Sequence, residues 1–509
     1  MSQHTFFIIA LVVYFAAMIG IGVYATLKTK NHEDYMLGGR SLPPAVAALS
    51  AGASDMSGWL VMGLPGAIYA TGLIEAWIAI GLTIGAYLNW KLVAPRLRAY
   101  TEVARNSITV PSFFENRLRD KSHVLRVVAG VVILVFFTLY VSSGMVAGGK
   151  YFESSFDGDY LTGMLLVGGV TLLYTLFGGF LGATYTDFVQ GIMIFAALLI
   201  VPVLAVISIG DIAAVSQGIT TVGAENLNWF GAGITGATIL GIISSLAWGL
   251  GYFGQPHIIV RFMALRSTRD VKAARRIGMG WMILSLIGTV LTGLIGIAWF
   301  DINGIELADP ETVVLVLAQN LMHPLIAGLV LAAVLAAIMS TISSQLIVSS
   351  SALIEDIARI VLKKDVGEKV LVWLGRAAVL LIAVIAIVIA FDSEASVLEL
   401  VGFAWAGFGA AFGPIVLLSL YWRKLTAAGA IVGMIAGAVT AWVWGRYLTG
   451  GIFDLYEILP GFLINVLLAV IVSLATYKAD TTDDKEIQQE FTDTGSIVIQ
   501  GLQKKPATN

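Results

Sequence analysis

SAGASDMSGWLVMGLPG, residues Ser50 to Gly66, lies inside a long apolar run and yet carries an acid, Asp55, and the breakers Gly52, Gly58, Gly63, Pro65 and Gly66. An ionisable group at membrane depth costs at least a few kcal/mol, so it faces an internal cavity or a partner. Gly and Pro free backbone carbonyls, which are tolerated at that depth only where protein or a lined cavity satisfies them. Those carbonyls, with Asp55 and Ser57, are hard oxygen donors suited to a small cation. The stretch reads as a broken helix forming half of an ion and substrate site.

The whole chain supports that setting. Of 509 residues, 58% are hydrophobic and only 12% charged, with a mean hydropathy of +0.88; a soluble domain carries about 25% charged residues. Many uncharged runs near 20 residues make it a polytopic membrane protein. The net charge of -3 gives no basic footprint for nucleic acid. With no cysteine, disulfides, thiolate metal sites and a cysteine nucleophile are excluded. The first run, Thr5 to Leu27, has no Lys or Arg before it and is followed by Lys28 and Lys30. That flank predicts a retained span with its N-terminus outside, not a cleaved signal peptide.

Counting by the roughly 20-residue criterion predicts about thirteen spans: 5–27, 42–70, 74–95, 126–150, 160–181, 188–209, 232–255, 277–300, 325–354, 370–391, 399–422, 425–446 and 457–477. Basic loops alternate with acidic ones. Arg40; Arg96 to Arg126; Arg261 to Arg276; Arg359, Lys363 and Lys364; and Arg423 fall on one side. Glu153 to Asp159, Asp211, Asp301 to Glu311, and Asp392 with Glu394 fall on the other. Basic loops face the cytoplasm, which gives N outside and C inside. Thr312 to Ile354 is too long for one span, and Pro324 divides it into a short outer helix and a long span. Residues 478–509 read as a mostly solvated acidic extension.

A second interrupted span lies at SSLAWGLGYFGQP, Ser244 to Pro256. It stands five spans after the first and runs the opposite way, the sequence pointer to an inverted-repeat transporter. Glycine is also common in packed membrane helices, and GxxxG at Gly409 to Gly413 reads that way. Ala337, Ser340 and Thr341 share one helix face. Their two hydroxyls and a carbonyl could complete an oxygen cage with carbonyls of Ala53 and Met56; spacing alone favours hydroxyls that bond back to their own helix or pack between helices. Asp187 lies in TYTDFVQG, and by position it reads as a cap starting the sixth span. Trp59, Tyr140, Trp248 and Tyr252 could line a pocket for a small organic solute or pack between helices. His257 reads as a loop residue, and no histidine spacing points to a metal site. No Walker loop is present, so ATP is not the expected energy source.

With these residues in view the chain resembles the sodium/solute symporter family. The resemblance is carried by YMLGGRSL (Tyr35 to Leu42), SAGASDMSGWLVMGLPGA (Ser50 to Ala67), GGFLGATYTDFVQG (Gly178 to Gly191), WGLGYFGQPHIIVRFMA (Trp248 to Ala264) and AAIMSTISSQLIVSSSAL (Ala336 to Leu353). The segment around Asp55 is similar to the family's proline-transporting branch. The resemblance implies an all-α polytopic membrane protein of thirteen helices with a five-plus-five inverted-repeat, leucine-transporter-like core and broken helices at the site. It divides the chain into 1–41, a transport core at 42–422 (repeats at about 42–209 and 232–422), two peripheral helices at 423–477 and a tail at 478–509.

The same resemblance implies Na⁺ at Ala53, Met56, Ala337, Ser340 and Thr341, and roles in the cation path or coupling for Asp55, Asp187 and Arg40. Ser57, Gly58, Trp59, Tyr140, Trp248, Tyr252 and Pro256 would hold or gate the solute. The expected function is Na⁺-coupled uptake of L-proline across the bacterial inner membrane by alternating access. No cofactor besides Na⁺, no transition metal, no nucleic acid and no obligate protein partner is expected. A symporter of pantothenate or another small carboxylate is the nearest alternative. A transporter-like sensor, an ion channel and an enzyme are more distant ones; the sequence presents no nucleophile-and-base constellation for the last.

Overall fold

The computed structural model describes residues 3–28, 37–358 and 368–503. Lys30, Tyr35, Met36, Arg359, Lys363 and Lys364 lie outside the described residues. Among those described the fold is helical, with one isolated bridge between Leu42 and Leu265. In chain order the helices are α1 (Gln3–Lys28), α2 (Pro44–Asp55), α3 (Leu64–Thr71), α4 (Ala76–Leu88), α5 (Ala94–Val103), α6 (Val110–Leu118), α7 (Val124–Phe156), α8 (Tyr160–Ile209), α9 (Ile212–Val222) and α10 (Gly236–Ala247). There follow α11 (Pro256–Ala264), α12 (Val271–Asn303), α13 (Val313–Leu321), α14 (Pro324–Ser351), α15 (Glu368–Ile389), α16 (Val397–Tyr421), α17 (Ala427–Tyr447), α18 (Ile458–Thr476) and α19 (Thr482–Gln503).

Ten of the helical segments are long and apolar enough to cross a membrane. Residues 44–71, 160–178 and 368–389 supply the other crossings as broken or shorter helices. The count therefore agrees with the hydropathy reading, but several ends differ. The third crossing runs on through α5, the eighth begins at Val271, and the seventh continues past its break into α11. The outer helix expected before Pro324 is α13.

Four expectations fail. The turn between the fifth and sixth crossings falls at Gly179, where φ 56° and ψ −159° interrupt α8. A Gly supplies that backbone at no steric cost. Asp187 is therefore two turns inside the sixth helix and fully buried, not a cap. Arg261, counted above as a loop charge, lies within α11 and is 1% exposed. His257 is likewise buried in α11. The acidic extension is not solvated throughout: α19 lays Asp484, Ile487, Thr494 and Gly501 against the body of the protein.

α2 and α3 pack against α12, and α2 also meets α8, α11 and α14, so the first break sits at the centre. Most of its glycines serve close packing, not chain breakage. A Cβ on Gly52 would lie 2.6 Å from the Trp281 ring, and one on Gly66 2.8 Å from the Glu311 backbone. The second break, the 3₁₀ segment Trp248–Gly254, is approached by α4 backbone to backbone: a Cβ on Gly85 would stand 2.1 Å from the Gly249 carbonyl. Gly85→Ala is expected to lower stability by about 1–3 kcal/mol, since neither backbone can yield. A thermal melt of the purified protein followed by tryptophan fluorescence checks this; an unchanged midpoint would show that the two segments do not touch.

Outside the core, α17 and α18 pack closely through Gly429, Gly433 and Gly437. Asn465 of α18 donates to the Ala410 and Ala411 carbonyls of α16 at 2.7 and 2.8 Å. The GxxxG at Gly409 and Gly413 meets Ile458, Phe462 and the second break, as a close-packing motif should.

Candidate ion and solute site

The chain leaves α-geometry at Met56 and Ser57. The Ser57 amide, which an unbroken helix would send to Ala53, donates to the Asp55 carbonyl at 3.0 Å. The break thus releases the Ala53 carbonyl. Ser340 of α14 donates its hydroxyl to that oxygen at 2.8 Å, and Thr341 approaches it at 3.5 Å. Both hydroxyls also lie 3.1 and 3.3 Å from the Ala337 carbonyl. Four of the five predicted sodium ligands therefore meet, and all are buried. Met56, the fifth, forms the cap itself. Back-bonding and cross-helix bonding occur together, so the two readings of this face are not exclusive. These oxygens sit at the carboxyl end of α2, the negative end of its dipole, which favours a cation. A hydroxyl that rotates its proton away offers a lone pair, so the same atoms could hold Na⁺.

Asp55 points elsewhere. Its Oδ2 accepts a hydrogen bond from the Tyr252 hydroxyl of the second break. Its backbone carbonyl accepts from the Trp59 indole at 3.0 Å and faces the Tyr140 hydroxyl at 3.4 Å. Ser57 caps the next limb, with its Oγ 3.4 Å from the Trp59 amide. Gly58 lies against Ala147 and Ile338; a Cβ there would be 3.0 and 3.6 Å from them. Beside Asp55 is a void of about 20 Å³, lined also by Asn89, Met56 and Tyr252. The Asp55 Oδ1 and both amide atoms of Asn89 are buried with no hydrogen-bond partner among the described residues. Buried polar groups normally have partners, so these atoms mark a place for a ligand or water.

Trp248 and Pro256 are not at Asp55. Trp248 stacks on Tyr456, ring centroids 5.2 Å apart, and its carbonyl accepts from the Trp405 indole at 2.8 Å. It borders a cavity of about 1090 Å³ open to the acidic face and lined by Ser244, Asp392, Glu399 and Glu457. Trp405 meets Tyr252 edge to face at 5.1 Å, joining that cavity's floor to the Asp55 cluster. Pro256 lines a different void of about 20 Å³, with Val260 and Ile347.

Asp187 and Arg261 form a buried ion pair at 3.1 Å, with side-chain exposures of 0% and 1%. Ser50 donates to Asp187 at 2.7 Å, and Arg261 donates to Ser344 at 2.6 Å and to Ser50 at 3.2 Å. Ser50 is one turn from Ala53 on α2 and Ser344 one turn from Ser340 on α14, so the pair underlies the oxygen cage. Arg40 lies nearer the basic face. It donates to Thr101 (3.1 Å), Asn106 (3.1 Å), the Ser107 carbonyl (2.7 Å) and the Met263 carbonyl (2.9 Å). Gly38 and Gly39, at φ 63° and 58°, turn the chain to aim it.

Sequence reasoning missed Asn89, Trp405, Ser50, Ser344 and Arg261 as site residues. Arg261 and Asp187 each stand within apolar runs, and opposite charges at depth tend to pair. Asn89 is a lone polar residue in GAYLNW. Trp405 carried no signal distinguishing it from a packing aromatic.

At the acidic face Lys150 bonds Glu311 at 2.9 Å, and the Glu311 carboxylate accepts the Val397 and Leu398 amides at 3.1 Å each. It caps α16 from outside that helix, where an anion is favoured. Glu311→Gln should weaken this cap by about 0.5–2 kcal/mol, visible as faster hydrogen exchange over residues 397–401; unaltered exchange would deny the cap that role.

Known proteins share this fold. A substrate-bound, outward-open Na⁺-coupled sialic acid symporter superimposes with a TM-score of 0.78 at 19% identity, over 92% of this chain and 98% of that one. Mhp1, a nucleobase-cation-symport-1 family transporter in a closed conformation, gives 0.53 at 14% identity, over 91% and 100%. The core is thus the inverted-repeat transporter fold. In sequence the chain is 55% identical to the high-affinity proline transporter PutP of Bacillus subtilis, over 90% of this chain and 96% of that one. It is 52% identical to the osmoregulated proline transporter OpuE of the same organism, over 92% and 94%. A sodium/proline symporter of Staphylococcus aureus is 50% identical, over 92% and 93%. The sodium:solute symporter family model matches residues 35–437, and with these relatives it means that the chain belongs to the sodium:solute symporter family.

Proposed function

We propose that this chain is a secondary active transporter that couples Na⁺ entry to uptake of L-proline, with its N-terminus outside and its basic face in the cytoplasm of a bacterial cell. The carrying observation is the released Ala53 carbonyl met by Ser340 and Thr341, two residues before Asp55, whose side chain turns instead to Tyr252. Ion and solute positions then share one short backbone segment, so occupancy of one alters the other. Na⁺ fills the Ala53, Met56, Ala337, Ser340 and Thr341 cage and steadies the break. The N–H groups that open the limb after Ser57 meet the proline carboxylate. Tyr140, Tyr252 and Trp59 bound the site, with Trp248 at the floor of the outer cavity. Asp187 serves the cation path through its pairing with Arg261, and Arg40 holds the inner side closed.

Na⁺ bound to the outward-open state raises apparent proline affinity by increasing the competent population. A membrane potential of 100 mV adds about 2.3 kcal/mol per charge, roughly fiftyfold accumulation at one Na⁺ per solute. The names of the relatives support proline over pantothenate or another small carboxylate. The test is labelled proline uptake into proteoliposomes under imposed Na⁺, Li⁺ or H⁺ gradients, with counterflow by unlabelled solutes. Sodium-driven uptake displaced by proline is expected; uptake indifferent to the sodium gradient would reject the proposal.

Asp55→Asn removes the charged acceptor of the Tyr252 hydroxyl. It is expected to reduce sodium-dependent uptake about 10- to 100-fold, the worth of a hydrogen bond to a charged group. Wild-type sodium dependence in that variant would remove Asp55 from the coupling machinery.

A further inference from the structure

The surface formed by Tyr100, Arg117, Arg119 and Lys121 is complementary to an acidic helix with one aromatic anchor, and α19 occupies it. Five acids and one lysine lie within Thr482–Gln503. Arg119, with a side chain only 5% exposed, bonds Glu490 at 2.8 Å and Glu486 at 3.3 Å; Lys121 bonds Asp483 at 3.2 Å. The Phe491 ring meets Tyr100 edge to face at 5.4 Å and lies under the Arg117 guanidinium at 4.7 Å. Buried or half-buried positions recur at 484, 487, 491, 494, 498 and 501, a three-four spacing that makes one continuous seam.

That seam spans both halves of the core. Tyr100 lies in the last turns of the third crossing and Arg117, Arg119 and Lys121 in the segment after it, all in the first repeat. Gly501 sits on Thr268 in the loop after the seventh crossing, in the second repeat; a Cβ there would lie 2.3 Å from the Thr268 Oγ1. Arg117 also donates to the Ser419 and Trp422 carbonyls at the end of α16, at 3.0 and 3.3 Å. An alternating-access cycle must separate elements on this face to release solute.

We infer that α19 is a clasp: docked, it holds the basic face closed and favours the state open to the acidic face, and its release eases inward opening. The attraction is partly between exposed charges, so salt on this side screens it. The inference rests on alternating access, as proposed above, but not on which solute is carried.

The absence of cysteine from the chain permits a direct test. Ile347→Cys places a sole thiol in the void beside Pro256 and Val260. Its alkylation by N-ethylmaleimide is measured in full-length protein in proteoliposomes, with Na⁺ and without solute. Arg119→Glu and, separately, Phe491→Ala should each raise the rate about three- to tenfold, given roughly 1 kcal/mol for the partly buried pair or the cation–π contact. Arg119→Glu combined with Glu490→Arg should return it towards the parent rate. Raising KCl on the basic side should accelerate alkylation of the parent and have less effect on Arg119→Glu. Equal rates in all of these proteins, with no salt effect, would overturn the clasp. Labelled proline uptake by the same vesicles reports the transport reading separately, so the two can fail independently.

Discussion

Arg261→Ala is expected to abolish sodium-driven uptake and to cost the folded protein about 3–5 kcal/mol, the penalty for leaving a buried charge without its partner. Asp187 is fully buried and its Oδ2 is served by Arg261, Ser50 and Ser344 together. Removing the guanidinium strands the carboxylate and also withdraws the donor that ties α11 to α14. Asp187→Ala alone strands Arg261 in the same way. The pair removed together should be more stable than either single variant, because no uncompensated charge remains, yet it should still fail to transport. Arg261→Lys retains the charge but not the fork that reaches Asp187, Ser50 and Ser344 at once, and should fall between. A thermal double-mutant cycle alongside uptake assays decides the matter. Additive destabilisation in the cycle would mean that the two charges do not interact.

That pair also marks where sequence reading stopped. The broken helix at Met56 and Ser57 was legible because an acid and small residues interrupt an apolar run. The second break was legible from Gly249, Gly251, Gly254 and Pro256 alone, and the five-span separation of the two breaks indicated the repeat. Span number followed from length and charge alternation, which are properties of the chain alone. Asp187 and Arg261 were misread because hydropathy places charges at span ends by default, whereas a pair 74 residues apart can share one buried site. The Gly179 turn shifted Asp187 inward, and nothing in the local pattern separated Gly178-Gly179 from the many other glycines. The α19 seam was present as Ile487, Phe491, Thr494 and Val498, but its acidic composition outweighed the period. Trp405 and Asn89 belong to the site only through the packing of α16 and α4 against the breaks, which no single-chain periodicity encodes.

The oxygen cage makes the sharper prediction about coupling. Ser340→Ala with Thr341→Ala removes two hydroxyls from the Ala53 carbonyl and from Ala337, while leaving the break, Asp55 and Tyr252 in place. Each hydroxyl lost from a buried polar cluster costs on the order of 1–3 kcal/mol of ligand interaction. The sodium concentration for half-maximal uptake should therefore rise about 10- to 100-fold or more. Proline affinity measured at saturating sodium should stay within about threefold of the parent, because a filled cage restores the same break geometry. Ser340→Thr, which keeps a hydroxyl, should recover much of the sodium affinity. The distinguishing readout is the pairing of the two titrations: sodium at fixed proline, and proline at saturating sodium. If both constants moved together at all sodium concentrations, these hydroxyls would serve the solute or the fold and the cation would bind elsewhere. If only the sodium constant moved, the ion and the solute would be held by different groups of one unwound turn, and their coupling would reside in that turn's geometry.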